Sequence, residues 1–228
     1  MESEEIGNEL ARLESAPQLR DTDLDPELAT TLERVAPLYR RVWWSRHDAA
    51  NKVWVSGVQQ QLALHGDDIA AQESRAFGKV WSSSPVRVDV AAYANWAGGY
   101  TTNDPSHIVT PSGDPGSQGD QALEVLFHEV LHTMDDPLFL ALRRAFRANG
   151  KTLPHDPTHV FIFYTAGALT QQALPNHAPY AERNGLWERV PDFKLALPVL
   201  KKYWQPHLDG KTSLDEAVAG YAAALSGQ

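Results

Sequence analysis

One apolar stretch of the sequence, 118–135, constrains the fold more than any other feature. Its apolar side chains recur at the three- and four-residue spacing of a buried helix, and they are Leu123, Leu126, Phe127, Val130, Leu131 and Met134. The same stretch contains His128, Glu129 and His132. Because burying three ionisable groups is costly unless they have a partner, we expect a polar partner for them inside the fold.

The spacing of the two histidines indicates what that partner is. His128 and His132 are four residues apart, which is about 400° of helix, so both imidazoles project from one face and can bind the same metal ion. Glu129 lies about 100° around the helix, within reach of a metal-bound water molecule. These are the groups that a metal-dependent hydrolase requires. The alternative is a pair of hydrogen-bonded core histidines with Glu129 at the helix rim.

The segment 126–132, Leu-Phe-His-Glu-Val-Leu-His, resembles the active-site helix of the zincin metallopeptidases. The predicted strands that precede it also match that clan, in which a sheet lies over the helix and aligns an extended peptide. The resemblance covers about 85–175 and is specific only at 128–132. It implies Zn²⁺ as the cofactor, a peptide or protein as the substrate, and hydrolysis of an amide bond with Glu129 as the general base.

A catalytic zinc ion usually has three protein ligands, and the helix at 118–135 offers two. The metzincin pattern fails, because Leu138 stands where a third histidine is required. In gluzincin-like enzymes the third ligand comes from a later helix, and the sequence resembles a group of bacterial zincin-like proteins with histidine at that position. His159, in a predicted helix at 157–173 with Asp156 as its N-cap, is the candidate here. The alternatives are His155, His177, Glu182 and Asp135.

Three more residues are candidates for supporting roles. A ligating histidine generally donates its other ring N–H to a carboxylate, and Asp135 and Glu124 lie three residues after His132 and four before His128. Tyr164, on the predicted third-ligand helix, is a candidate donor to a developing oxyanion. The structural alternatives are solvated charges for the two acids and a core tyrosine with a satisfied hydroxyl.

The order of helical and strand patterns predicts a mainly helical α+β fold. Val86, Val88 and Val90 alternate with polar residues as in a half-buried strand, and two short strands follow, so we expect about three strands over the active-site helix. A chain of 228 residues suits one core, and we expect a single zincin-like catalytic domain. The predicted parts are an N-terminal arm or short helix, 1–25, and a domain, 26–228, composed of a helical region 26–80, a sheet 85–111, the helices 118–135 and 157–173, and a helical C-terminal part 190–226.

The first helical region contains a polar-aromatic stripe: Trp43, Trp44, His47, Asn51 and Trp54. We expect its tryptophans to pack in the core, the commoner position for such side chains. Pro37 predicts a kink or restart of the helix, and Gly66 predicts a break between helices at 55–64 and 67–77.

Composition excludes several classes of function. The chain has no cysteine, so any metal must be held by imidazole and carboxylate groups. Its formal net charge is -9 and its basic residues are scattered, so we do not expect a nucleic-acid partner. No apolar run approaches the roughly 20 residues of a membrane span. The first ten residues lack the order of a signal peptide, so we expect a cytoplasmic protein unless a leader has been removed.

The function predicted from the sequence is that of a zinc metallopeptidase, with His128, His132 and His159 as ligands and Glu129 and Tyr164 as catalytic residues. Two alternatives stay open: a catalytically inactive zinc-binding protein that acts through interactions, and a structural domain without metal. The sequence predicts neither the cleavage specificity nor the oligomeric state.

Overall fold

The computed structural model describes Leu19 and residues 24–81, 85–94, 98–103 and 106–225. The protein is mainly helical, at 69%, with one three-stranded mixed sheet, which confirms the α+β class and the number of strands. The chain divides into two compact units: unit 1 is Met1–Gly57 with Pro85–Gln118, and unit 2 is Val58–Ser84 with Gly119–Gln228. Most of the predicted arm at 1–25 lies outside the described residues.

Unit 1 combines a helical segment with the sheet. Its helical elements are α1 (Pro26–Tyr39), a π-helical turn (Arg40–Trp44), the start of α2 (Ser45–Phe77) and a 3₁₀ turn (Pro115–Ser117). The strands are β1 (Arg87–Ala91), β2 (Tyr100–Asn103) and β3 (Ser106–Pro111), in the order β1-β3-β2. β1 runs parallel to β3, and β2 is antiparallel to it.

The first helices follow the sequence pattern in part. Asp25 caps α1, since its carboxylate accepts hydrogen bonds from the Glu27 and Leu28 amides at 3.0 and 3.1 Å. The predicted interruption at Pro37 is a π-helical turn that begins three residues later. The predicted break at Gly66 is wrong, because α2 runs through it. Apolar packing of the flanking residues offsets the roughly 1 kcal/mol that glycine costs in a helix.

The polar-aromatic stripe divides between buried and exposed positions. Trp54 is buried and its Nε1 donates to the Ser117 carbonyl oxygen at 2.6 Å. Asn51 donates to the Val90 carbonyl oxygen at 2.8 Å, which ties the helix to β1. Trp43 and Trp44 are 40% and 47% exposed, so the prediction that they pack in the core is wrong. The physical reason is that α1 and the π-helical turn bury no residue.

Unit 2 is a helical assembly around one main apolar core. Its elements after α2 are α3 (Asp120–Leu131), α4 (Asp136–Ala148), α5 (His159–Ala173), α6 (Tyr180–Arg183), α7 (Leu186–Arg189), α8 (Pro191–Val199), a second π-helical turn (Leu200–Trp204), α9 (Gln205–Leu208) and α10 (Leu214–Leu225). Residues 121–131 of α3 are all buried, as the apolar stretch predicts. Among the described residues, no helix has both the length and the apolarity to span a membrane.

Candidate metal centre

Three histidines of unit 2 converge on one point. His128 lies in the last turn of α3, His132 caps the end of that helix, and His159 is the first residue of α5. The His128 Nε2 atom lies 3.3 Å from the Nε2 atoms of both His132 and His159. Among the described residues, these three form the group of side chains whose ligand atoms all lie within 4.8 Å of one another. The structure thus places His159 beside the other two histidines, and its role as the third metal ligand stays a prediction.

The two nitrogen separations from His128 match those expected in a tetrahedral metal site. Two nitrogens that each lie about 2.0–2.1 Å from a tetrahedral zinc ion are about 3.3 Å apart. A single imidazole N–H at His128 can donate to only one of its two neighbours, so hydrogen bonds alone do not account for both short distances. The donor set therefore fits a zinc ion, and imidazole nitrogen equally suits other divalent transition metals.

The electrostatics of the cluster favour neutral rings. Burial lowers the pKa of His128 well below its ordinary value, and the neighbouring His132 and His159 lower it further. Burial and then the proximity of His159 lower the pKa of His132 to about 4. At neutral pH both rings are uncharged, and a neutral imidazole is the form that binds a metal.

Asp156 fixes the orientation of His159. Its Oδ2 lies 2.9 Å from the His159 Nδ1, and the hydrogen bond from that histidine lowers the pKa of the carboxyl group. The Nδ1 atom therefore carries the proton, and the lone pair of Nε2 points into the cluster. The prediction that Asp156 caps this helix is wrong, because α5 begins two residues later than such a cap requires. Its spacing of three residues from His159 was the available signal.

Packing rather than hydrogen bonding orients His128. Its Nδ1 is buried and has no hydrogen-bond partner among the described residues. The Phe163 ring lies against it, with ring centroids 4.2 Å apart, and the same ring lies 4.8 Å from that of His159. Phe163 is one turn along α5 from His159, a spacing that the sequence analysis did not use.

Glu129 occupies the position that the motif requires. It follows His128 directly on α3 and is only 6% exposed. Its side chain thus belongs to the same buried helix as two of the three converging histidines. The role of general base stays a prediction.

Asp135 connects the two segments that carry the converging histidines. Its Oδ2 accepts a hydrogen bond from the Thr158 hydroxyl at 2.6 Å, and burial raises its pKa. Asp135 follows the end of α3, and Thr158 directly precedes His159. This carboxylate therefore positions the start of α5 instead of orienting His132 as the sequence suggested.

Glu124 and His177 form a separate buried pair. The Glu124 Oε2 lies 2.5 Å from the His177 Nε2, and the Tyr180 amide donates to the same carboxylate at 2.8 Å. Burial raises the pKa of Glu124, and the hydrogen bond with His177 opposes that effect. Glu124 is thus the partner of His177 and not of His128, and neither residue belongs to the histidine cluster among the described residues.

The remaining sequence candidates lie apart from the cluster or at its edge. The Tyr164 hydroxyl donates to the Gln205 Oε1 at 2.8 Å, and burial raises its pKa to about 12. Five residues of helix turn its side chain about 140° away from His159, so its role as an oxyanion donor stays a prediction. Glu182 lies on α6, outside the cluster, and His155 lines a cavity beside His159.

That cavity has a volume of about 430 Å³, and His159 forms part of its wall. Lys151, His155, Asp156 and Asp192 supply charged or polar groups. The apolar side chains that line it include Phe146, Val160, Val190, Phe193, Leu195 and Leu225. A mostly apolar pocket of this size, next to a convergent polar group, has the properties of a small-ligand site.

No protein-family model, curated protein or solved structure matches the chain. The resemblance to zincins therefore depends on the sequence motif alone. What the structure adds is the triad of histidines at metal-binding distance, without identifying the metal.

Proposed function

We propose that the protein is a zinc-dependent hydrolase, and more specifically a metallopeptidase that cleaves an amide bond. The observation that carries the proposal is the convergence of the Nε2 atoms of His128, His132 and His159, with Glu129 next to His128 on a buried helix. Three neutral nitrogen ligands leave a tetrahedral ion one open position, which distinguishes a catalytic zinc site from a closed structural one.

His128, His132 and His159 would hold the zinc ion, which would supply Lewis-acid chemistry and lower the pKa of a bound water molecule to about 7. The residues of the chain have distinct roles in the proposed reaction. Glu129 accepts a proton as water adds to the carbonyl carbon of the substrate, and returns it to the nitrogen atom as the C–N bond breaks. The products are a carboxylic acid and an amine. Asp156 keeps His159 in the Nδ1–H tautomer, so that its Nε2 stays available as a ligand.

The cavity beside His159 supports a peptide as the substrate. Its apolar wall suits one apolar side chain of a residue next to the scissile bond, since transfer of such a side chain out of water is favourable. The Leu195→Trp variant narrows this cavity, and Leu140→Trp on α4 is the control at a similarly exposed leucine. We expect only Leu195→Trp to lower kcat/KM, by about tenfold, for peptides with phenylalanine rather than alanine at that position.

The first test is the metal content of protein purified without added metal, measured by elemental analysis. We expect about one zinc per chain. The absence of zinc, with no uptake when zinc is offered, would exclude the proposed enzyme and leave a structural or interaction domain.

The second test separates an enzyme from an inactive zinc-binding protein. Glu129→Gln should retain zinc and lose at least about 100-fold in turnover of labelled casein or quenched peptides, because the general base is removed. Glu182→Gln, at an exposed position on α6, is the matched control. Turnover that survives in Glu129→Gln contradicts the assigned role of this residue. A zinc-loaded wild type that cleaves no peptide favours the interaction protein.

A further inference from the structure

A second region of the chain has a distinctive surface. We call residues 34–46, from the end of α1 through the π-helical turn to the start of α2, the aromatic-basic segment. It contains six of the 13 large apolar side chains that are exposed in the described part of the chain: Val35, Leu38, Tyr39, Val42, Trp43 and Trp44. The spacing of the first four is that of one helix face, and α1 and the π-helical turn bury none of their residues. An amphipathic helix whose apolar face is exposed indicates an interaction surface.

The charge of the segment is opposite to that of the protein. Arg34, Arg40, Arg41 and Arg46 lie within it, and no acidic residue occurs between Glu33 and Asp48. The whole chain has a formal net charge of -9. The segment is therefore a local exception to the scattered basic residues elsewhere, and it attracts an anionic partner.

Contacts within the segment hold its aromatic rings in place. The Tyr39 ring stacks on that of Trp43 with centroids 6.3 Å apart, and lies 6.2 Å from that of Trp44. The Tyr39 hydroxyl lies 2.9 Å from the His47 Nδ1. The aromatic side chains are thus ordered by one another while they stay exposed.

We propose that the aromatic-basic segment docks on an anionic lipid bilayer, with its helix axis in the plane of the interface. Tryptophan and tyrosine side chains are enriched at this interface, and aliphatic side chains insert at the boundary of the acyl chains. The arginines bind the anionic headgroups. Such docking requires no membrane-spanning helix, and it does not depend on the proposed zinc chemistry.

Two other occupants fit the surface less well. A second copy of the chain, packed through the same helix face, would bring eight arginines together, and like charges repel. A nucleic acid binds arginine and stacks on aromatic rings, but its recognition makes no use of Val35, Leu38 and Val42. Apolar insertion together with positive charge favours the bilayer.

The test is co-sedimentation of the full chain with vesicles made of equal parts of phosphatidylglycerol and phosphatidylcholine, and with vesicles of phosphatidylcholine alone. We expect binding at least about tenfold tighter to the anionic vesicles, and weaker binding as salt is raised.

Two pairs of variants separate the apolar contribution from the charge. Trp43→Ser/Trp44→Ser should weaken binding to anionic vesicles at least about tenfold, whereas the control Leu64→Ser/Leu140→Ser, at other exposed apolar positions, should not. Arg40→Gln/Arg41→Gln should weaken it by a similar factor, whereas Arg143→Gln/Arg147→Gln on α4 should not. Circular dichroism checks that each variant is folded.

Four results would overturn the proposal. One is equal or no binding to the two kinds of vesicle. The second is an equal loss of binding in the segment variants and in their controls. The third is that light scattering detects concentration-dependent dimers that Trp43→Ser/Trp44→Ser abolishes. The fourth is that the protein binds single-stranded nucleic acid more tightly than it binds anionic vesicles.

Discussion

Glu124 and His128 lie one turn apart on α3, and each belongs to a polar cluster with different partners. At Glu124, a buried carboxylate and the buried His177 hydrogen-bond to each other, and the Tyr180 amide completes the group. At His128, by contrast, ligand atoms of three histidines lie within 4.8 Å of one another. The first cluster is complete within the protein, whereas the second presents several lone pairs to a common point. The neighbours of a buried histidine thus decide whether its ring nitrogens are satisfied within the protein or are available to bind a metal ion.

The strongest test of this comparison replaces, one at a time, the two histidines that lie outside α3. His159→Ala should weaken zinc binding by more than the roughly 100-fold that loss of a supporting partner costs, with little change in the free energy of unfolding of the metal-free protein. His177→Ala should leave zinc content unchanged and lower the free energy of unfolding by about 1–3 kcal/mol, since the buried Glu124 carboxylate loses one hydrogen-bond partner and keeps the Tyr180 amide. Elemental analysis and urea unfolding provide the two readouts. Zinc loss in both variants, or in neither, would break the distinction between the clusters.

A variant of Asp156 tests whether this carboxylate, which lies outside the histidine triad, raises the affinity of the triad for zinc. Asp156→Asn removes the charge that holds the Nδ1–H of His159, so zinc affinity should fall by about 10–100-fold. Competition with a chelator measures this affinity, and Asp192→Asn, at an exposed position that also lines the cavity, is the control. Equal affinities in Asp156→Asn and wild type would show that packing against Phe163 suffices to orient the ring.

Glu73 is a third kind of buried polar group, because neither of its oxygens has a hydrogen-bond partner among the described residues. Burial raises its pKa well above the ordinary value, so the folded state retains a proton that the unfolded state loses. The ordinary pKa of a glutamate is 4.5. Above about that pH, the contribution of Glu73 to the free energy of unfolding falls as pH rises, by at most about 1.4 kcal/mol per pH unit. Glu73→Met should therefore be increasingly more stable than wild type from pH 5 to pH 8. If Glu73→Met and wild type differ by the same free energy of unfolding at pH 5 and at pH 8, the raised pKa of Glu73 is contradicted.

Substitution of Tyr164 has the smallest expected effect, and it tests whether this residue belongs to the site. Its hydroxyl is engaged by Gln205, so Tyr164→Phe should cost about 1 kcal/mol of unfolding free energy and leave zinc content and kcat close to wild type. Thermal unfolding and peptide turnover measure both. A fall in kcat of about 100-fold, with KM unchanged, would instead support the oxyanion role that the sequence suggests.

Local geometry explains which parts of the site were predictable. The convergence of His128 and His132 follows from a four-residue spacing on one helix, and His159 followed from the need for a third ligand near the start of a buried helix. The partner of Glu124 was not predictable, since His177 lies 53 residues away and the pair depends on how α3 and the loop before α6 pack. Asp156 was misassigned because helix boundaries shift by one or two residues.

The fold likewise has features that could be predicted from the sequence and features that could not. The three strands and most helices follow from periodicity, which is a property of each segment alone. The exposure of Trp43 and Trp44 does not, because burial depends on what packs against a helix, and an apolar stripe looks the same whether or not anything covers it.

The hydrogen bond between Asp135 and Thr158 has a consequence for the entropy of ligand binding. His128 and His159 are 31 residues apart in the chain, and bringing their side chains together requires closing that loop. Asp135 and Thr158 close it with the protein's own groups, at the residue that directly precedes His159. Folding, rather than the metal, then supplies the free energy for closing the loop, and more of the intrinsic binding free energy of the ion appears as affinity.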